Sequence, residues 1–251
     1  MSARQETRMN RSTLSWRTTG WACAALCVAL GMAATAAAAA GTELSGFWKP
    51  SAVVSVLHTR GGGVPPLLPG AAAMYDSRVR APGDRTFDDT LQCLPPGLPR
   101  ILGESAFEIA QTPTQLLFLY EWNRLQRVVP VRADHVEFDR AYPYYLGHPA
   151  AHWEAGTLVV DSIDFNADTV LDASGLPHGE QLHVVERIAL AGRDTLVDRV
   201  RIEDPQYYSR PWEAEYRFQR MPAGTLFAED VCVLRLGLKG LNTRRNLRPT
   251  H

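Results

Sequence analysis

The acidic residues of this chain that sit inside strand-like runs are the first candidates for chemistry. In "QLHVVERIAL" the alternation places Leu182, Val184, Glu186 and Ile188 on one face, with His183, Val185 and Arg187 on the other. In "DTLVDRVRI" the same parity sets Asp198 beside Leu196, Val200 and Ile202. A carboxylate among apolar neighbours is costly unless it is paired, hydrogen-bonded or protonated. Glu186 and Asp198 are therefore expected to face inward from adjacent strands. They form either an acid–base pair in a cavity, suited to moving protons on a small molecule, or a structural network bonded to Arg127, a tyrosine hydroxyl or backbone. Asp161, at the end of the apolar run Thr157–Val160, has no preferred face: it belongs either to the same cavity or to a strand-to-turn junction. His178, in the turn "SGLPHGEQ" just before a strand, is placed to reach a cavity mouth as proton donor. Tyr144, Trp153, Trp212 and Tyr216 are the aromatic residues expected to hold a ligand, with "YPYYLGH" (142–148) reading as an aromatic loop at a pocket mouth or as a plug over one end.

Other chemistries find little support. His148 and His152 are four apart in "GHPAAH", but Pro149 and the neighbouring glycine argue against the helix that would aim both at one metal. No ligand spacing supports a metal site, and no cofactor is expected. A G-x-S-x-G elbow is missing, and Gly61-Gly62-Gly63 leads into neither a helix nor a Lys-Ser/Thr pair, so serine hydrolysis and phosphate binding are not indicated. Charged residues make up 21% of the chain with a net charge of −1, a balance that excludes an electrostatic footprint for nucleic acid.

These residues need a framework of strands. "FEIAQT", "QLLFLYEWN", "LQRVVPV", "TLVVDSI", "QLHVVERIAL", "DTLVDRVRIED" and "WEAEYRFQRM" are short strands bounded by turn residues. Turns such as "AGRD" favour antiparallel pairing, and a meander this long curls up. The expected class is mainly β: an antiparallel meander closing into a lipocalin-like barrel or a sandwich, without βα alternation. Residues 41–105, rich in glycine and proline, are expected to form a long irregular wrap with a short helix near 71–79. The barrel domain is expected at 106–238, followed by a basic flexible tail at 239–251.

The start of the chain reads as an address. Arg4, Arg8, Arg11 and Arg17 precede an apolar run that ends near Ala38-Ala39-Ala40, the pattern of a cleaved signal peptide over residues 1–40. A periplasmic or secreted protein of roughly 210 residues with no stable membrane span is expected after cleavage. Of the four cysteines, Cys93 and Cys232 then remain, either as a disulfide, favoured in an oxidising compartment, or as two buried thiols. A bridge between them would be worth on the order of 4 kcal/mol or more by loop entropy.

Several segments resemble a widespread family of exported bacterial proteins, mostly of unknown function. Its members carry W-E-G-D-T-L-V-V-D-T followed by Phe, then a Pro-His-Ser turn, a strand ending in Glu-Arg, and a D-P…P-W segment. The matches here are Trp153-Glu154, Thr157 to Asp161, Phe165, Pro177-His178, Glu186-Arg187, Asp204-Pro205 and Pro211-Trp212. "CLPPGLPR", "QTPTQLLFLYE" and Arg127 are similar too. The chain departs from the pattern at Ala155-Gly156 and at Gly179. The resemblance implies an exported, single β-rich domain and transfers no activity. Three functions fit these features: a cofactor-free isomerase, dehydratase or cyclase acting on a small hydrophobic or aromatic molecule; a non-catalytic binding protein for such a molecule; or an envelope interaction protein without a cavity.

Overall fold

The computed structural model describes residues 42–132, 134–135 and 144–232. The leader expected at 1–40 and the basic tail at 239–251 lie outside the described residues. Nine strands form one sheet: β1 (Gly46–Pro50), β2 (Phe107–Gln111), β3 (Gln115–Tyr120), β4 (Gln126–Pro130), β5 (His148–Glu154), β6 (Thr157–Ile163), β7 (His183–Leu190), β8 (Thr195–Glu203) and β9 (Trp212–Arg220). The spatial order β4-β3-β2-β1-β9-β8-β7-β6-β5 is the chain order run around a ring, and every pairing within it is antiparallel. The first strand meets the last through Trp48 opposite Arg220 and Pro50 opposite Phe218.

The ring closes between β4 and β5, and here the geometry changes. In a closed meander, alternating directions can be satisfied all the way round only by an even number of strands. With the nine strands of the described residues, one neighbouring pair has to run parallel. That pair is β4 and β5: Val131 and Ala151 form a parallel bridge, and the Arg132 N–H donates to the Ala151 carbonyl at 2.7 Å. The fold is thus a nearly closed, lipocalin-like barrel rather than a sandwich, and its wall carries one loosely stitched seam.

All seven strands expected from the sequence form. Two others were not expected. β1 lies inside the segment expected to be irregular, where a Gly and a Pro bound only "GFWKP". β5 contains Pro149, which removes a ladder donor and is tolerated where a strand borders the seam. Cys232, expected in a late strand, lies beyond β9 and outside the sheet.

Inward-facing aromatic residues pack the barrel. Phe107 meets Phe218 edge-on at 4.9 Å and tilts against Tyr120 at 5.6 Å and Phe118 at 5.8 Å. Each such buried ring contributes roughly 1.5–3 kcal/mol relative to exposure. Trp48 is fully buried, donates through its indole N–H to the Leu44 carbonyl and lies under the Arg220 guanidinium at 4.0 Å.

The wrap carries helix α1 (Pro69–Arg80), opened by its proline, and the short helix α2 (Arg100–Glu104), whose Ile101 and Leu102 are buried in the core. Arg100 is clamped to the buried Asp88 by two hydrogen bonds of 2.8 and 3.2 Å. Burial alone would raise the Asp88 carboxyl, but hydrogen bonds from Arg100, Thr90 and Arg85 outweigh it and hold it well below the ordinary range. The Cys93–Cys232 disulfide is formed and spans 139 residues of sequence. Among the described residues no helix is long and apolar enough to cross a membrane.

Both departures from the resembled pattern fall at backbone positions. Ala155 (φ 47°) and Gly156 (φ 84°) make the two-residue turn of the β5–β6 hairpin, where Glu154 pairs with Thr157. Left-handed backbone at both positions is what such hairpins require, and alanine tolerates it poorly. At Gly179 a Cβ would collide with the Gln206 amide oxygen and come within 2.9 Å of Tyr207. Replacing Ala155→Asn relieves the turn and should raise stability by about 1 kcal/mol, read as a higher urea midpoint with an unchanged slope. An unchanged midpoint would mean that the turn is not strained at Ala155.

Candidate functional site

The parity of β7 and β8 places Glu186 and Asp198 inside the barrel, where each is at most 1% exposed. Glu186 does not stand alone. Arg127 reaches from β4 across the inside of the seam and meets its carboxylate with both terminal nitrogens, Nη1 at 2.9 Å and Nη2 at 2.5 Å. Nη2 also donates to Ser162 Oγ of β6 at 2.9 Å. One buried fork therefore ties β4 to β6 and β7 across the very gap that backbone pairing leaves open. Phe118, opposite Arg127 in the ladder, lies under the guanidinium at 5.9 Å.

Asp198 sits one diagonal step from Glu186 and directly opposite Tyr216 of β9. Burial first, and the Glu186 charge second, push its carboxyl well above the ordinary value, which favours the neutral acid donating to Glu186. The two inward carboxyls thus differ in kind. Glu186 is the anion of an ion pair, and Asp198 is held toward protonation beside it. Burial raises Tyr216 as well. Among the described residues, Asp198 Oδ1, Arg127 Nε and the Tyr120 hydroxyl find no well-formed hydrogen bond.

Asp161 faces the other way. Val160 and Ser162 turn inward, while the Asp161 side chain is 39% exposed on the outer surface of β6. Its oxygens are taken by two imidazoles, His135 Nε2 at 2.9 Å and His183 Nε2 at 3.0 Å. Among the described residues no three His, Cys, Asp or Glu side chains converge so as to hold a metal ion. His178, expected to reach a cavity mouth, is instead buried in the chain between β6 and β7. It is pinned between Thr169 Oγ1 at 2.7 Å and the Gly179 carbonyl at 3.1 Å, and desolvation lowers its pKa toward the neutral ring. Glu186 and Asp198 come together, but Asp161 lies on the opposite face of the wall and His178 outside the strands.

The ligand-holding aromatics separate likewise. Tyr216 and Trp212 are buried in the core, Trp212 against Tyr208 at 5.5 Å, and Trp153 packs along its margin. Of the four, Tyr144 lines the cleft at the seam. The seam between β4 and β5 opens outward as a cleft of about 530 Å³, lined on one side by residues 125–128 and 130 and on the other by residues 144–149. Leu125, Val128, Pro130, Tyr144, Tyr145 and Leu146 supply apolar walls, and Arg127 lies at its inner side. His148 stacks on Tyr144 at 5.9 Å and faces His135 at 5.7 Å. Burial, followed by the nearby His135, lowers the His148 pKa. Residues 142–143 of the expected aromatic loop lie outside the described residues.

Sequence reasoning missed His135, Arg132 and Leu125. None stands out in a motif, and each lies at or beside a seam whose position follows from how the ring closes. In comparisons with known proteins, no family model and no curated protein sequence matches the chain.

Removing one partner of a buried pair leaves the other charge stranded. Arg127→Met should cost about 3–5 kcal/mol, with most of the loss recovered in Arg127→Met/Glu186→Leu. Urea denaturation of the two variants checks this, and a double variant as unstable as the single would disprove the strut. Asp198 supplies a pH test. The fold keeps its proton above the pH where the unfolded chain releases it, so the stability it contributes falls as pH rises from about 4. Asp198→Asn should therefore be more stable than the parent at pH 7, with the gap closing toward pH 4 by up to about 1.4 kcal/mol per pH unit. Parallel stability curves would show Asp198 to be ionised in the fold.

Proposed function

We propose that this is an exported, non-catalytic binding protein that holds a small apolar or aromatic molecule in the seam cleft. The cleft carries the reading. Its volume lies within the roughly 300–1,000 Å³ typical of small-molecule sites, and its walls are mostly apolar with a few polar groups at fixed points. The backbone on one side is largely that of β4, and on the other the turn 144–147 leads directly into β5.

The acid–base alternative needs substrate to reach Glu186 and Asp198, and both are sealed behind the packed rings with Glu186 already claimed by Arg127. That burial favours binding over turnover. Export through the leader at 1–40, to the periplasm or beyond, belongs to the same proposal. The Cys93–Cys232 bridge supports it, since disulfides persist in oxidising compartments.

Fluorescence titration with the neutral probe N-phenyl-1-naphthylamine tests the site. Wild type should bind it saturably, one molecule per chain. Val128→Trp, which fills the cleft from an outward-facing position, should weaken binding at least about tenfold without lowering the melting temperature. Asp198→Asn should bind as wild type does. Undiminished binding by Val128→Trp would remove the cleft from consideration.

A further inference from the structure

The cleft is apolar in its walls but one-signed in its charges. Among the described residues its lining includes no aspartate or glutamate, whereas Arg127, Arg132 and His148 all border it. Acidic and basic residues are nearly equal in number along the chain, 27 against 26, so this bias is local. Arg127 is committed to Glu186 and Ser162 and contributes chiefly as a fixed wall. Arg132 differs. Its backbone is anchored at the seam by the hydrogen bond to the Ala151 carbonyl, and its side chain is exposed. Among the described residues it has no carboxylate partner, unlike Arg60, Arg187, Arg199 or Arg217 on the same protein surface.

We infer that the cleft selects aromatic carboxylates: the ring system lies between Val128 and the Tyr144–Leu146 segment, and Arg132 receives the anionic group. This rests on the binding reading above and narrows its ligand. A planar guanidinium matches a carboxylate in a bidentate pair, and among the described lining residues no acid repels that anion. A neutral aromatic ligand gains only the apolar contact, and a cationic one meets like charge. The low-polarity walls strengthen the charge contact relative to open surface, and added salt weakens it.

Displacement of N-phenyl-1-naphthylamine by three ligands of one shape provides the test: 2-naphthoate, its methyl ester and 2-(aminomethyl)naphthalene. The carboxylate should compete about tenfold more strongly than the ester, and the amine less than either. In Arg132→Gln the preference for the carboxylate should vanish while the ester competes as before, and 0.5 M salt should reduce it in wild type. Equal competition by carboxylate and ester, with the probe still displaced, would overturn the charge selection and leave the cleft standing as a site. An unchanged carboxylate preference in Arg132→Gln would overturn the role of Arg132. Failure of all three to displace the probe would overturn both the selection and the cleft.

Discussion

The nine strands of the described residues cannot alternate in direction around a closed ring, and that arithmetic governs the barrel they form. Somewhere the wall must contain two parallel neighbours. Here they are β4 and β5, joined by the bridge from Val131 to Ala151 and the adjoining Arg132 hydrogen bond. A seam of this kind leaves backbone groups and side chains facing one another across a gap, and the gap is the cleft. The rest of the molecule answers to it. Arg127 crosses behind the gap to reach Glu186 and Ser162, so that what the backbone does not join from outside is joined from within by charge.

That solution imposes conditions on its neighbours. A buried anion needs its cation, and a second carboxyl one diagonal step away cannot also ionise without opposing it. Asp198 is pushed toward its neutral form by burial and by Glu186, and the raised Tyr216 opposite follows the same logic. The polar residues of the interior thus behave as one connected group whose arrangement depends on Arg127. Their closeness resembles catalytic machinery, yet their solvent isolation and mutual commitment describe an internal brace.

The strands were largely legible in the sequence because alternation is a local property. "WEAEYRFQR" and "HVVERIAL" announce their faces residue by residue, and so the inward facing of Glu186 and Asp198 could be read directly. Asp161 could not be assigned, because a run of buried residues on both faces, Leu158 to Val160, hides the parity that would have placed it outward. β1 and β5 escaped notice for a related reason: glycine and proline speak locally for turns, while the neighbours that hold these strands lie far along the chain. The cleft was the least legible feature. Its two sides are innocuous segments, and they face one another only once the ring has closed.

The pairing of β1 with β9 bears on when the molecule becomes itself. Trp48 finds its ladder partner at Arg220, so the strand that is synthesised first waits for the one synthesised last. Hairpins from β2 to β4 and from β5 to β9 form between near neighbours as they emerge, but the ring has no closed state until almost the whole chain has been delivered. Until then the chain remains an open sheet without an inside. For the export proposed above, such an order keeps the ring open until its last strand arrives.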